Sequence, residues 1–98
     1  MSIRIVRADD INYYKRQYEA VFVDVRSKEE YKKGHIPEAI HLSAQDVECY
    51  MKKRGRDKLT IFYCERGITS AGIAKHLSQM GYMVGTLAGG FISYRKIR

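Results

Sequence analysis

The stretch Leu59-Thr60-Ile61-Phe62-Tyr63-Cys64-Glu65-Arg66-Gly67-Ile68-Thr69-Ser70-Ala71 decides the fold. Its first five residues form an apolar run with β-branched content and read as a strand, the fourth of the chain and a central one. A tight loop follows from Cys64 to Thr69. Beyond it, Ile73, Ala74, Leu77 and Met80 fall on one face of a helix that starts near Ser70 and is stopped by Gly81 in the C′ role. Towards the N-terminus the same alternation repeats. Ile3-Arg4-Ile5-Val6 reads as a first strand, and Asp9 as the cap of a helix carrying Ile11, Tyr14 and Tyr18. Val21 to Val25 is nearly continuous in apolar residues, which suits a strand covered on both faces. Ser27-Lys28-Glu29-Glu30 has the form of a capping box, opening a helix kept brief by Gly34 and Pro37. Ala39 to Leu42 is a third strand. Ser43 to Asp46 is a looser cap for a helix with Val47, Tyr50 and Met51 inward, ending at Gly55. Towards the C-terminus, Met83 to Leu87 is a fifth strand, and Gly89-Gly90 turns the chain into a last short helix with Phe91 and Tyr94. This alternation calls for a single α/β domain over residues 1–98, with a central, mostly parallel five-stranded sheet and helices on both faces. Ligands in such sheets bind at the carboxyl ends of the strands, where Cys64 lies.

Composition narrows the function classes. The chain has 98 residues, 45% of them hydrophobic, too apolar for a disordered chain and long enough for one core. No apolar run approaches the length that spans a bilayer. The opening Met1-Ser2-Ile3-Arg4-Ile5-Val6-Arg7 has no long apolar stretch and no small-residue cleavage site, which argues against secretion. Cys49 and Cys64 are too few for a disulfide scaffold and lack the spacing of a zinc site. A reducing cytoplasm is the expected location. The charge of +7, from 18 Lys+Arg against 11 Asp+Glu, is scattered and carries no nucleic-acid motif, so neither nucleic acid nor a membrane is expected as partner. Its densest cluster, Lys52-Lys53-Arg54-Gly55-Arg56, suits a helix C-terminus, and the tail from Tyr94 to Arg98 reads as solvated.

Three effects converge on the Cys64 sulfur. Glu65 to Thr69 can curl so that successive N–H groups point inward as an anion-holding nest. The following helix adds its unsatisfied N–H groups and positive dipole end. Arg66 supplies a full positive charge, and Gly67 permits the backbone the curl needs. Each favours thiolate over thiol. The plain alternative is a buried cysteine ending a core strand, but its place between strand and loop, beside Arg66 and Gly67, favours a reactive one.

Three segments then carry a resemblance to the single-domain rhodanese-like sulfurtransferases. Asp24-Val25-Arg26, Glu30-Tyr31, Gly34-His35-Ile36-Pro37 and Ala39-Ile40 resemble the family's segment ahead of its third strand. Cys64 to Thr69 resembles its six-residue sulfur-transfer loop, and Leu87-Ala88-Gly89-Gly90 its closing Leu-x-Gly-Gly. The resemblance implies a three-layer fold and a two-step reaction that needs no metal or organic cofactor. Cys64 takes the outer sulfur of a donor, thiosulfate or a persulfide, and hands it from the resulting persulfide to a thiol or cyanide-like acceptor. It implies that the amides of Glu65, Arg66, Gly67, Ile68 and Thr69 stabilise anionic sulfur, and that the Arg66 side chain holds an anionic group of the substrate. A sulfur-relay protein is a further possible partner. A non-catalytic rhodanese-like binding or regulatory module is the alternative, since folds outlive their chemistry.

The departures matter as well. Glu65 stands where thiosulfate-using relatives carry a basic residue, so that with Arg66 the loop has no net side-chain charge. Tyr94 replaces a frequent Trp. Ser70 occupies the place where the dual-specificity phosphatases of this fold need an Arg. Asp24 and Arg26 read as a loop anchor behind the site, and His35 as a structural tie. His41 and His76 have no partner in view, Cys49 needs no role, and Tyr14, Tyr18, Tyr31 and Tyr50 follow the spacing of core or rim.

Overall fold

A computed structural model describes residues 3–97. The five strands are β1 (Arg4–Val6), β2 (Val21–Asp24), β3 (Ile40–His41), β4 (Thr60–Tyr63) and β5 (Val84–Leu87). The helices are α1 (Ile11–Tyr18), α2 (Lys28–Lys33), α3 (Val47–Arg54), α4 (Ile68–Gln79) and α5 (Gly90–Lys96). All strand pairs are parallel, in the order β1-β5-β4-β2-β3, so β4 is central as its apolar run suggests. Parallel pairing also brings every strand's carboxyl end to one edge. The register sets Asp24 beside Tyr63, and the Val25 N–H donates to the Tyr63 carbonyl at 3.0 Å.

Two apolar layers flank the sheet. Phe22, Ile61, Tyr63 and Leu87 pack with Ile11 of α1 and Phe91 of α5 on one face. Val23, Phe62 and Val84 pack with Val47 and Met51 of α3 and Ala74 and Leu77 of α4 on the other. The alternation of Ile61, Phe62 and Tyr63 between the two layers is the two-residue period of a strand buried on both sides. Tyr14, Tyr18, Tyr31 and Tyr50 are half-buried and form the rim.

Local chemistry explains most helix ends. Ser27 and Glu30 close the expected capping box on α2: the Glu30 N–H donates to Ser27 Oγ, and the Ser27 N–H to the Glu30 carboxylate. Lys52, Lys53 and Arg54 fill the last turn of α3, and Gly55 ends it. Two expectations are corrected. Asp9 caps nothing; it lies inside a 3-10 turn, Ala8–Asp10, that runs into α1 and makes no side-chain cap. The helix α4 starts at Ile68, not near Ser70, because Gly67 at φ 96° turns the chain directly into it. No helix among the described residues is long and apolar enough to cross a membrane.

Candidate active site

Cys64 ends β4 and opens the loop into α4, and its sulfur sits above the N-terminal turn of that helix. The Gly67 N–H donates to Sγ at 3.1 Å and the Ser70 N–H at 3.3 Å. Ser70 Oγ lies 3.4 Å from the same sulfur and 2.8 Å from Thr86 Oγ1 on β5. Burial, which leaves Cys64 7% exposed, pushes its thiol up. The bonds from Ser70 Oγ and from the N–H groups of Ser70, Gly67 and Arg66 outweigh that, so the thiol is held below its ordinary range.

The site differs from its sequence reading in three ways. Of the loop amides, those of Arg66, Gly67 and Ser70 serve the sulfur; those of Glu65, Ile68 and Thr69 are not among its donors. Ile68 and Thr69 are exposed, Ile68 at 80%. Ser70 belongs to the site although reasoning from the loop alone stops at Thr69. Its signal was the helix N-terminus itself, whose first-turn amides and hydroxyls face whatever precedes them. Arg66 acts on the sulfur through its N–H, while its side chain is exposed.

Glu65 shows the largest departure from expectation. Its carboxylate accepts from Arg26 Nη1 at 3.3 Å and from Arg95 Nη2 at 2.7 Å. Burial raises the Glu65 carboxyl, but Arg95 and then Arg26 outweigh it and hold it below the usual carboxylate range. The loop charges therefore do not cancel each other: Glu65 is neutralised by two arginines from elsewhere, and Arg66 keeps its charge. The tail is corrected with it, since Arg95 is anchored to the loop and the half-buried Tyr94 stacks on Phe91. Arg98 lies outside the described residues.

Behind the loop, Asp24 and Arg26 pair with each other. Arg26 Nε and Nη2 and its own N–H reach the fully buried Asp24 carboxylate at 2.8–3.1 Å. Arg26 Nη2 also donates to the Gly34 carbonyl at 2.6 Å, and the guanidinium lies 4.1 Å above the Phe91 ring. His35 is tied through Nδ1 to the Tyr31 carbonyl at 2.8 Å and stacks on Tyr31. The other histidines have partners the sequence did not suggest: His41 Nε2 donates to the Arg26 carbonyl at 2.7 Å, and His76 meets Glu48 at 2.7 Å on the surface. Cys49 is exposed on α3.

The Gly89-Gly90 turn completes the frame. The Phe91 N–H donates to the Cys64 carbonyl at 2.8 Å and the Ile92 N–H to the Glu65 carbonyl at 3.1 Å. A Cβ at Gly90 would fall 2.5 Å from the Glu65 carbonyl oxygen, so only glycine admits this approach.

The three segments that shape the site are those that carried the resemblance, and the sequence profile of the rhodanese-like domain matches residues 8–96. The chain belongs to the rhodanese-like domain family. The thiosulfate sulfurtransferase GlpE of Coxiella burnetii is 35% identical over 81 residues, covering 82% of this chain and 76% of that protein. A tRNA sulfurtransferase of Pyrobaculum aerophilum is 44% identical over 62 residues, 63% of this chain and 13% of that protein. Among solved structures, a rhodanese-related protein from Thermoplasma volcanium superposes with a TM-score of 0.81 at 28% identity, covering 96% of this chain and 92% of that one. Family membership and these relatives support sulfurtransferase activity in general for this rhodanese-like chain.

Proposed function

We propose that this protein moves sulfane sulfur from a donor to a thiophilic acceptor through a persulfide on Cys64. The observation that carries the reading is the Cys64 sulfur held by the N–H groups of Gly67 and Ser70 at the head of α4. Those donors stabilise a thiolate nucleophile before attack and again when the acceptor removes the sulfur and Cys64 leaves as thiolate. The exposed charge of Arg66, two residues beyond Cys64, supplies the attraction for an anionic group on the donor. Thiosulfate and a low-molecular-weight persulfide are the donors to compare, and the compartment is the cytoplasm.

Intact mass after incubation with each donor tests this. One sulfur atom should add to the wild-type chain, none to Cys64→Ala, and cyanide or a thiol should remove it. A chain that takes up no sulfur from either donor is a binding module instead.

A further inference from the structure

We propose that Thr86 is a positioning residue for Cys64: its Oγ1, fixed on β5, keeps the Ser70 hydroxyl turned to the Cys64 sulfur while that sulfur is a thiolate. The inference rests on the reading of Cys64 as the nucleophile and adds a residue that acts through another side chain. Three polar side-chain atoms form a chain between the sheet and α4. Cys64 Sγ lies 3.4 Å from Ser70 Oγ, and Ser70 Oγ lies 2.8 Å from Thr86 Oγ1. Ser70 and Thr86 are both buried. Hydroxyls this enclosed are satisfied by what the fold places beside them.

The two hydroxyls are held differently. Ser70 lies in the first turn of α4, where a serine has a competing acceptor in the helix's own carbonyl four residues back. Its hydroxyl rotates freely between such partners. Thr86 has no such freedom. A β-branched side chain is stiff at its first torsion, and the Thr86 backbone lies inside the sheet, opposite Ile5 of β1 and Phe62 of β4. Phe62 packs on the α4 side of the sheet and precedes Cys64 by two residues, one full strand period. The parallel register thus brings Thr86 to the carboxyl edge of the sheet, beside the strand that leads into Cys64.

Charge on the sulfur decides which way the chain points. As a thiol, Cys64 donates its S–H to Ser70 Oγ, which leaves the Ser70 O–H for Thr86 Oγ1. As a thiolate, Sγ only accepts. The thiol proton leaves to water, the Ser70 O–H turns to the sulfur, and the Thr86 O–H donates to Ser70 Oγ. Only hydroxyls rotate, and neither oxygen loses its proton. A hydroxyl that accepts one bond donates a stronger one, so Thr86 both holds Ser70 Oγ in place and strengthens its bond to Sγ. The groups that hold the thiol low are this hydroxyl and the N–H groups of Ser70, Gly67 and Arg66, none of them an ionised side chain. Asp24, Arg26, Glu65 and Arg95 pair with one another, and the Tyr63 hydroxyl accepts the Ile36 N–H. Arg66 on the loop and Lys75 and His76 on α4 are exposed, and β5 carries no titratable group. A change at Thr86 is therefore read at Cys64 through Ser70.

Thr86→Val keeps the shape of the side chain and removes the hydroxyl. The pH profile of Cys64 alkylation should move to higher pH, in the direction of Ser70→Ala and no further. Thr86→Ser, which keeps the hydroxyl, should stay nearer the wild-type profile than Thr86→Val. Added to Ser70→Ala, Thr86→Val should cause no further shift, because a positioning residue then has nothing left to position. Thr86→Ala carries the same test should Thr86→Val not fold, and urea midpoints report stability separately. An unmoved profile once the hydroxyl is gone, a shift in Thr86→Ser as large as in Thr86→Val, or an added shift in the double variant overturns the proposal. Alkylation needs no sulfur donor. The expected shifts without sulfur uptake from thiosulfate or a low-molecular-weight persulfide therefore uphold the role of Thr86 and overturn the persulfide reading alone.

Discussion

Replacing Ser70 by Ala separates two roles of one buried hydroxyl. Its Oγ lies 3.4 Å from the Cys64 sulfur and 2.8 Å from Thr86 Oγ1, and no other side chain links the two. On the sulfur side, burial opposes ionisation, and the Ser70 hydroxyl leads the hydrogen bonds that overcome it. Removing it leaves the N–H groups of Ser70, Gly67 and Arg66 in place. A long bond to sulfur is at the weak end of charge-assisted bonds, about 1.5 kcal/mol, and its loss should raise the thiol. On the other side, Thr86 Oγ1 is buried and loses its partner, which costs about 1–3 kcal/mol of stability. The pH dependence of alkylation reads the first effect and the urea midpoint the second. Ser70→Ala with Thr86→Val should recover most of the stability and none of the thiol shift. Linkage adds a sign. Because folding depresses the Cys64 thiol, its contribution to stability is complete above the unfolded value of about 8.5 and is lost as pH falls through the lower folded value; Ser70→Ala narrows that window. An unmoved alkylation profile in Ser70→Ala, or one restored by the second substitution, refutes the reasoning.

Arg26→Ala strands the fully buried Asp24 carboxylate and should lower stability by about 3–5 kcal/mol in urea denaturation, with little rescue by Arg26→Lys, which cannot reproduce the fork. Gly90→Ala puts a Cβ against the Glu65 carbonyl at φ 66°, so both the urea midpoint and sulfur loading should fall. Tyr63→Phe removes the hydroxyl that accepts the buried Ile36 N–H at 3.1 Å and should cost about 1–3 kcal/mol by the same assay. Raising the salt concentration should leave the neutral-pH alkylation rate of Cys64 nearly unchanged, whereas a reactivity set by the exposed Arg66 charge would fall.

The fold was legible because its signals are local. The apolar run before Cys64, the Ser27–Glu30 box and the Gly81 stop each act within a few residues, and the structure keeps all three. Strand ends moved by a residue, and α4 began earlier because a glycine at positive φ needs no further cap. The Asp24–Arg26 pairing and the Gly67 N–H to Cys64 contact are local in the same way, two and three residues apart. What could not be read are pairings across long separations. Glu65 meets Arg95, 30 residues away, and Arg26, 39 away; Ser70 meets Thr86, 16 away. Adjacency suggested that Glu65 cancels Arg66, but neighbouring side chains on a tight loop point in different directions, and charge balance is decided by which groups the fold brings within hydrogen-bond reach.

That distinction bears on where reactivity comes from. A sulfur this enclosed has lost much of the water that would solvate its thiolate, and burial alone would make Cys64 inert. A distant mobile charge compensates poorly, because solvent and salt screen it before it reaches the pocket. Fixed N–H groups at 3.1 and 3.3 Å are not screened, since nothing lies between donor and sulfur. They need no reorganisation when charge appears or departs, which suits a sulfur that is anionic, then covalently loaded, then anionic again. Their aim depends on the loop backbone, and that backbone is held by the Phe91 and Ile92 amides and by Arg26 and Arg95 through Glu65. The terminal helix is thus part of the site's electrostatics without touching the sulfur: it fixes the direction of the dipoles that do.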